Sequence, residues 1–343
     1  MRRLASLTLR VGIGMAVSIV CALLVLRVVD LRQVTDLLAN AALPLVPVAV
    51  AATSLDIVLR AWRWRVLVSP LSIVPMNRVL SYLLVGYLAN NVLPGRAGEL
   101  VRSHYLGDRE GASRLSILGT VFVERILDVV TLLALTTVAW WMTGASSGLA
   151  GLPLVGLLGG VLAVVAVIAV VTLPGERRYG PTLMARIPLR VRTLGGRLRA
   201  GVAAAAAPRT ILTSVVLTLL AWTATAAVFA AAASAIGFRV SPGQVLLIAG
   251  ATNLATAIPS APGYVGTFEF AVVATAGAIG LAMAPALAIA VLVHAVVLLT
   301  TTLGGLAALY FVTYRVRTPA AHAAVAREDP NVRGEPQHHL PPG

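Results

Sequence analysis

A series of long apolar runs constrains the fold of this chain more than any other feature of its sequence. The runs are separated by short polar or basic stretches and cover residues 11–29, 43–59, 79–93, 115–142, 152–173, 210–236, 244–258, 264–281 and 285–312. A helix needs about 20 apolar residues to cross the hydrocarbon core of a bilayer. Only 12% of the 343 residues are charged, against about 25% in a soluble domain. The sequence therefore predicts an all-α polytopic membrane protein.

The placement of arginine predicts the orientation of the chain. Residues 174–209 contain eight arginines and one acid, Glu176. Because cytoplasmic loops carry an excess of basic residues, we expect this loop and both termini on the cytoplasmic side of a bacterial-type inner membrane. The arginines lie between apolar runs rather than on one folded face, so we expect no nucleic-acid partner. The single cysteine, Cys21, excludes an intramolecular disulfide.

Two short segments, 90–99 and 253–269, interrupt the apolar runs in the same way. Each begins with Asn, breaks at Pro-Gly, reaches a second Gly and ends on a carboxylate. The residues are Asn90, Asn91, Pro94, Gly95, Gly98 and Glu99 in the first segment, and Asn253, Pro262, Gly263, Gly266 and Glu269 in the second. Paired breaks in two halves are typical of transport sites. We predict about six full spans plus two inverted re-entrant helical hairpins; if the arms cross fully, the count is eight to ten spans.

Ionisable residues also occur within the apolar runs. Glu124, Arg125 and Asp128 lie inside the run at 115–142, where each costs about 2.5–3.5 kcal/mol in mid-helix unless it has a partner. The expected partners are Arg96, Glu99 and Arg102 of the first broken segment. Two interpretations remain open: a structural ion-pair network, or a polar cavity whose arginines bind an anionic headgroup.

Other polar residues in apolar surroundings receive simpler interpretations. Asp56 and Arg60 are one helical turn apart and can pair. The basic and aromatic cluster at 60–65 is typical of a cytoplasmic interface. His294 has no metal-ligand spacing to other residues and is interpreted as a satisfied core histidine. The chain has no catalytic or phosphate-loop motif, so we expect neither an enzyme nor a cofactor or metal.

These motifs together resemble one known family. The residues that carry the resemblance are Arg60-Ala61-Trp62-Arg63-Trp64, the segment from Gly86 to Arg102, Glu124-Arg125-x-x-Asp128 and Pro262-Gly263-x-x-Gly266-x-x-Glu269. The family is the flippase-like membrane family named after the transmembrane region of lysylphosphatidylglycerol synthase, the multiple peptide resistance factor. The resemblance covers about residues 10–314. It implies a lipid-handling membrane module; the sequence contains no soluble aminoacyl-transferase domain.

The sequence therefore predicts a flippase-like transmembrane domain at 1–314 and a disordered cytoplasmic tail at 315–343. The expected function is movement of a phospholipid or other lipid-phosphate between leaflets without ATP, with membrane lipids as partners. The expected substrate-binding residues are Asn91, Arg96, Glu99, Arg102, Glu124, Arg125, Asp128 and Glu269; the expected hairpin residues are Pro94, Gly95, Gly98, Pro262, Gly263 and Gly266. The alternative is a non-transporting scaffold that presents lipid to a glycosyltransferase or lipid-modifying enzyme.

The predicted topology can be tested by cysteine labelling in a chain that lacks Cys21. Gly144→Cys and Gly237→Cys should react with an impermeant reagent outside the membrane, and Gly195→Cys should not, because the arginine excess orients its loop inward. Labelling of Gly195→Cys from outside would contradict the topology.

Overall fold

The protein is helical throughout the part of the chain that the structure describes. The structure is a computed structural model that describes residues 2–93, 97–143, 189–256, 258 and 260–314. Its helices are α1 (Arg2–Val28), α2 (Leu31–Ala39), α3 (Val46–Val68), α4 (Met76–Val92), α5 (Gly98–Arg109), α6 (Arg114–Met142), α7 (Leu189–Ala205), α8 (Pro208–Ala235), α9 (Pro242–Ala255), α10 (Thr267–Ala278) and α11 (Met283–Tyr314). Two short 3-10 turns, Leu43–Leu45 and Pro262–Tyr264, precede α3 and α10.

Several helices are long and apolar enough to cross a membrane, as expected for a polytopic membrane protein. Within the described ranges three segments meet both criteria: Leu43–Val68, Pro208–Ala235 and Met283–Tyr314. A fourth is obtained if α1 and α2, which meet at an angle of 89°, count as one broken span. α6 has 29 residues and contains Glu124, Arg125 and Asp128. The predicted span at 152–173 and the tail at 315–343 lie outside the described residues.

The helix of the second apolar run is longer than the run itself. The run stops near residue 59 and is followed by the cluster at 60–65, which is predicted to lie at the membrane surface, and α3 continues through this cluster to Val68. Arg63 and Trp64 are fully buried in the protein, whereas Trp62 is exposed. The reason is that carboxylates from another helix pair with Arg63, so that a charged residue can lie inside the helix bundle.

Both broken segments form pairs of short helices that pack against each other. The first hairpin consists of α4 and α5, and the second of α9 and α10. In the first hairpin the chain reverses direction: Asn90 Oδ1 accepts from the Gly98 N–H at 2.8 Å, and the Tyr82 hydroxyl donates to Glu110, just beyond α5, at 2.6 Å. The helix pairs predicted on the two sides of the Pro-Gly breaks are therefore present.

The two halves of the molecule pack in the same pattern. If α3, α4, α5 and α6 are exchanged with α8, α9, α10 and α11, the main contacts among these eight helices have counterparts. Thus α4 packs on α11 as α9 packs on α6, α5 packs on α6 as α10 packs on α11, and α3 packs on α4 as α8 packs on α9. Both hairpins are thereby placed between α6 and α11.

The two equivalent helices at the centre, α3 and α8, run antiparallel. Arg63 near the end of α3 contacts Thr218 in the first half of α8, while Asp56, earlier in α3, contacts Thr225, later in α8. A two-fold axis that relates antiparallel helices is perpendicular to them, so for spanning helices it lies in the membrane plane. This is the arrangement of an inverted repeat.

The close approach of the two arms of the first hairpin yields a prediction. A Cβ atom at Gly98 would overlap the Gly86 carbonyl oxygen and Asn90 Oδ1, and backbone atoms cannot move aside cheaply. Gly98→Ala should therefore lower the free energy of unfolding by about 1–3 kcal/mol or more, measured as thermal unfolding in detergent. Gly12→Ala is the matched control, because a Cβ there meets no atom within 4 Å. Equal stability of the two variants would contradict the packing.

Candidate functional site

A network of buried ion pairs lies where α3, α5, α6 and α8 meet. Arg63 of α3 is at its centre, and its side chain is fully buried. Arg63 Nη1 donates to Asp128 Oδ1 at 2.6 Å and to Thr218 Oγ1 at 2.9 Å, while Nη2 lies 3.2 Å from Glu124 Oε1. One guanidinium group thus pairs with both carboxylates of α6 and removes most of the cost of having them in an apolar run.

A second buried arginine attaches the first hairpin to this network. Arg102 of α5 binds Glu124 through both Nη atoms, at 3.1 and 3.0 Å. Its guanidinium group also lies 4.6 Å from the centroid of the Trp64 ring. A planar guanidinium suits both contacts. The contact predicted between Arg102 and the α6 carboxylates is present, and it holds α5 against α6.

Two further arginines face an internal cavity. The side chain of Arg125 is 40% exposed, and its Nη2 lies 2.7 Å from Glu124 Oε1 and 3.4 Å from Asp128 Oδ2. Its Nε is buried and has no hydrogen-bond partner within the described ranges. Arg60 Nε donates to both oxygens of Asp56, at 2.8 and 2.9 Å, as its spacing predicted. Arg125 is therefore the most exposed arginine of the network, and its guanidinium is open to a ligand in the cavity.

The second hairpin is held by a different set of contacts. His294 of α11 contacts Glu269 Oε1 through Nδ1 and lies 2.7 Å from the Gly263 carbonyl oxygen through Nε2. Glu269 Oε2 accepts from the Gly266 N–H at 2.7 Å. Gly263, Tyr264 and Gly266 have φ of +69°, +61° and +87°, a region that costs about 1–3 kcal/mol for a residue other than glycine. The histidine is satisfied, as predicted, but its partner is an acid 25 residues away in the sequence.

One cavity of about 300 Å³ connects the ion-pair network with the second hairpin. Its charged wall includes Arg60, Arg102, Arg125, Asp56, Glu99 and Asp128. The rest of the lining combines apolar or aromatic side chains, which include Trp222, Val228, Phe229, Phe268, Val293 and Val297, with polar ones such as Asn253, His294 and Thr301. Both hairpins contribute, through residues such as Asn90 and Tyr264. The cavity lies at the lower end of the size range of small-molecule sites, and its charged residues come from α3, α5 and α6, in the first half of the molecule.

The remaining predicted site residues lie at the contact with α11, at the cavity and at the turn before α10. Asn91 donates through Nδ2 to Thr301 and Thr302 of α11, at 2.9 and 3.0 Å, and so connects the first hairpin with the other half. Glu99 lines the cavity, and its Oε2 is buried without a hydrogen-bond partner among the described residues. Pro262 begins the turn before α10. Pro94, Gly95 and Arg96, also predicted for the site, lie outside the described residues.

Sequence reasoning missed Arg63 and Trp64 as site residues. A signal was present: Asp56, Arg60 and Arg63 are spaced at i, i+4 and i+7, which places them on one helix face. A polar face on an otherwise apolar helix indicates contact with other polar groups inside the protein rather than with the membrane surface. Among the described residues no group of three or more His, Cys, Asp or Glu is arranged to bind a metal ion.

The fold and the site define an integral membrane protein with two internal helical hairpins around a polar cavity. The sequence profile of the lysylphosphatidylglycerol synthase TM region matches residues 11–305. The chain belongs to this family, as the sequence motifs predicted. Membership of the family and the apolar helices together indicate a membrane function related to lipids. A comparison with curated proteins gave no match.

The different burial of Arg63 and Arg125 leads to a prediction about stability. Arg63→Ala leaves Asp128 and Glu124 without their central partner and should lower the free energy of unfolding by about 3–5 kcal/mol. Arg125→Ala should cost about 1 kcal/mol or less, because Arg125 is partly exposed and Arg63 and Arg102 still pair with the carboxylates. Chemical unfolding in detergent measures both values.

A double variant keeps this prediction testable if Arg63→Ala is hard to produce. Replacing Asp128 by Asn in the Arg63→Ala background removes the unpaired charge and should recover part of the lost stability. Equal costs for the two single variants, or no recovery in the double variant, would contradict the central place of Arg63.

Proposed function

We propose that this protein moves a phospholipid or other lipid-phosphate between the two leaflets of a membrane without ATP. The observation that carries the proposal is the cavity that both hairpins line, which combines guanidinium groups with apolar side chains. A lipid combines the same two characters, because its headgroup is polar and its chains are apolar. The family to which the chain belongs supports a lipid as the substrate.

In this proposal the headgroup occupies the cavity and the acyl chains remain in the bilayer. A volume of about 300 Å³ accommodates a headgroup but not a whole lipid. Arg125, the most exposed arginine of the network, contacts the phosphate, since guanidinium and phosphate match in geometry. Arg102 and Arg63 are buried against their carboxylate partners and position the charged wall instead. Arg96, next to the first break in the sequence, remains a candidate second ligand.

The proposed membrane arrangement follows from the antiparallel repeat. About six full spans surround two re-entrant hairpins, the first entering from the cytoplasm and the second from outside, in a bacterial-type cytoplasmic membrane. Rocking of the hairpins exposes the cavity to one leaflet and then to the other. The antiparallel packing of α3 and α8 supports this arrangement.

A second candidate function is a scaffold that presents lipid to a glycosyltransferase or lipid-modifying enzyme without transporting it. The observation that favours it is the fully buried Arg63 with its two carboxylates, which has the character of a structural ion-pair core. Reconstitution distinguishes the two candidates, because a scaffold moves no lipid when it is the only protein in the vesicle.

The proposal predicts a specific defect for Arg125→Gln. In proteoliposomes without ATP, the wild-type protein should move labelled phospholipid faster than protein-free vesicles do. A hydrogen bond to a charged group contributes about 1.5–3 kcal/mol, and 1.4 kcal/mol corresponds to a factor of ten. Arg125→Gln should therefore lower phospholipid movement about tenfold relative to that of a phosphate-free glycolipid.

The matched control is Arg32→Gln, because Arg32 is exposed on α2 and does not line the cavity. It should move both lipids at the wild-type rate. An equal loss for both lipids in Arg125→Gln would exclude Arg125 as the phosphate ligand. Wild-type protein that moves no lipid above the protein-free rate would reject transport in favour of the scaffold.

A further inference from the structure

His294 makes two contacts that each need a proton to be a hydrogen bond. A neutral histidine beside an ionised carboxylate holds only one such proton. Both ring nitrogens lie against acceptors, Nδ1 against Glu269 Oε1 and Nε2 against the Gly263 carbonyl oxygen. A neutral imidazole has only one N–H. Both contacts are hydrogen bonds only if the ring carries two protons or if Glu269 carries one and donates it to Nδ1. In either form the pair has bound one additional proton.

The other half of the molecule has a comparable contact that cannot release a proton. Under the exchange of the two halves, α5 and α6 correspond to α10 and α11. The second arm of each hairpin is paired with the helix that follows it, through Arg102 and Glu124 in the first half and through Glu269 and His294 in the second. An arginine stays charged at every accessible pH, whereas a histidine titrates in the physiological range.

Loss of the proton acts directly on the break of the second hairpin. The remaining N–H stays at Nδ1, because its hydrogen bond to an ionised carboxylate is charge-assisted. Nε2 then presents a lone pair to the Gly263 carbonyl oxygen, and the two acceptors repel each other. Gly263 lies in the left-handed part of the break, next to Tyr264 in the same strained region. The break thus loses a hydrogen bond where its backbone conformation is least favourable.

We propose that Glu269 and His294 form a proton-binding site: the bound proton holds the break of the second hairpin in the observed conformation, and proton release loosens it. The side chains of Glu269 and His294 are 17% and 9% exposed, and His294 lines the cavity whereas Glu269 does not. The ring therefore exchanges protons with water in the cavity.

Other ionisable groups near α11 come from the helices packed against it. α3 brings Asp56 and Arg60 to the cavity, paired with each other; α4 brings Tyr87, and the turn before α10 brings Tyr264. The charged residues of α2 and α8, which are Arg32, Asp36 and Arg209, are exposed and do not line the cavity. Glu269 is the acid in contact with the ring.

The proton site would make lipid movement depend on protons, and in that respect the inference rests on the proposed function. Its test does not need transport. Val265, within the break and 55% exposed, is replaced by Cys in a Cys21→Ala chain and labelled with an environment-sensitive dye before any change of pH. In vesicles the dye emission should show a single-proton transition between about pH 5 and about pH 9.

Two variants fix the end states of this transition. Glu269→Gln keeps an acceptor for the Gly266 N–H and donates an amide N–H to Nδ1, so its emission should stay at the wild-type low-pH value throughout. His294→Leu cannot bind the Gly263 carbonyl oxygen and should stay at the high-pH value. His104→Gln is the matched control, because His104 is exposed and lies 3.5 Å from Asp108, on α5. It should keep the wild-type transition.

The absence of a transition in the wild-type chain would overturn the proposal. A transition that persists in Glu269→Gln would also overturn it, because the titrating group would then lie elsewhere, for example at Asp56. A chain that shows the expected transitions but moves no lipid would retain the proton site and reject the proposed transport.

Discussion

The fold depends on one constraint: a charge inside an apolar helix bundle must have a partner within the bundle. Arg63 satisfies this requirement for Asp128 and Glu124 at once. Because Arg102 pairs with the same Glu124, the position of the first hairpin is determined by carboxylates of α6. The contacts between α3, α5 and α6 are therefore specified by geometry and charge, whereas apolar packing alone tolerates many arrangements.

The sequence predicted those features that depend on neighbours along the chain. The apolar runs located the helices, the Pro-Gly breaks located both hairpins, and helical spacing predicted the pair of Asp56 and Arg60. The contact of Arg102 with Glu124 was also within reach, because both residues lie at membrane depth and need partners. Each of these inferences uses either local periodicity or the cost of an unpaired charge.

Features that depend on the packing of helices distant in the sequence could not be predicted from local patterns. Arg63 was interpreted as part of an interfacial cluster, because composition cannot distinguish a basic residue at the membrane surface from one that faces a carboxylate inside the protein. The pairing of His294 with Glu269 joins helices that come together only through the repeat. The repeat explains this pairing once the structure is known, because Glu269 and His294 connect α10 to α11 as Arg102 and Glu124 connect α5 to α6.

The contact between the backbones of Gly86 and Gly98 has a mechanical consequence. With no side chain between them at this point, the arms of the first hairpin touch backbone to backbone, and a slide of one arm past the other would break the contact. Arg102 attaches the same hairpin to α6 through a charge that does not vary with pH. The two halves of the repeat therefore differ mechanically: the first hairpin is joined by backbone contact and a permanent ion pair, whereas the turn of the second contains a tyrosine in the left-handed region.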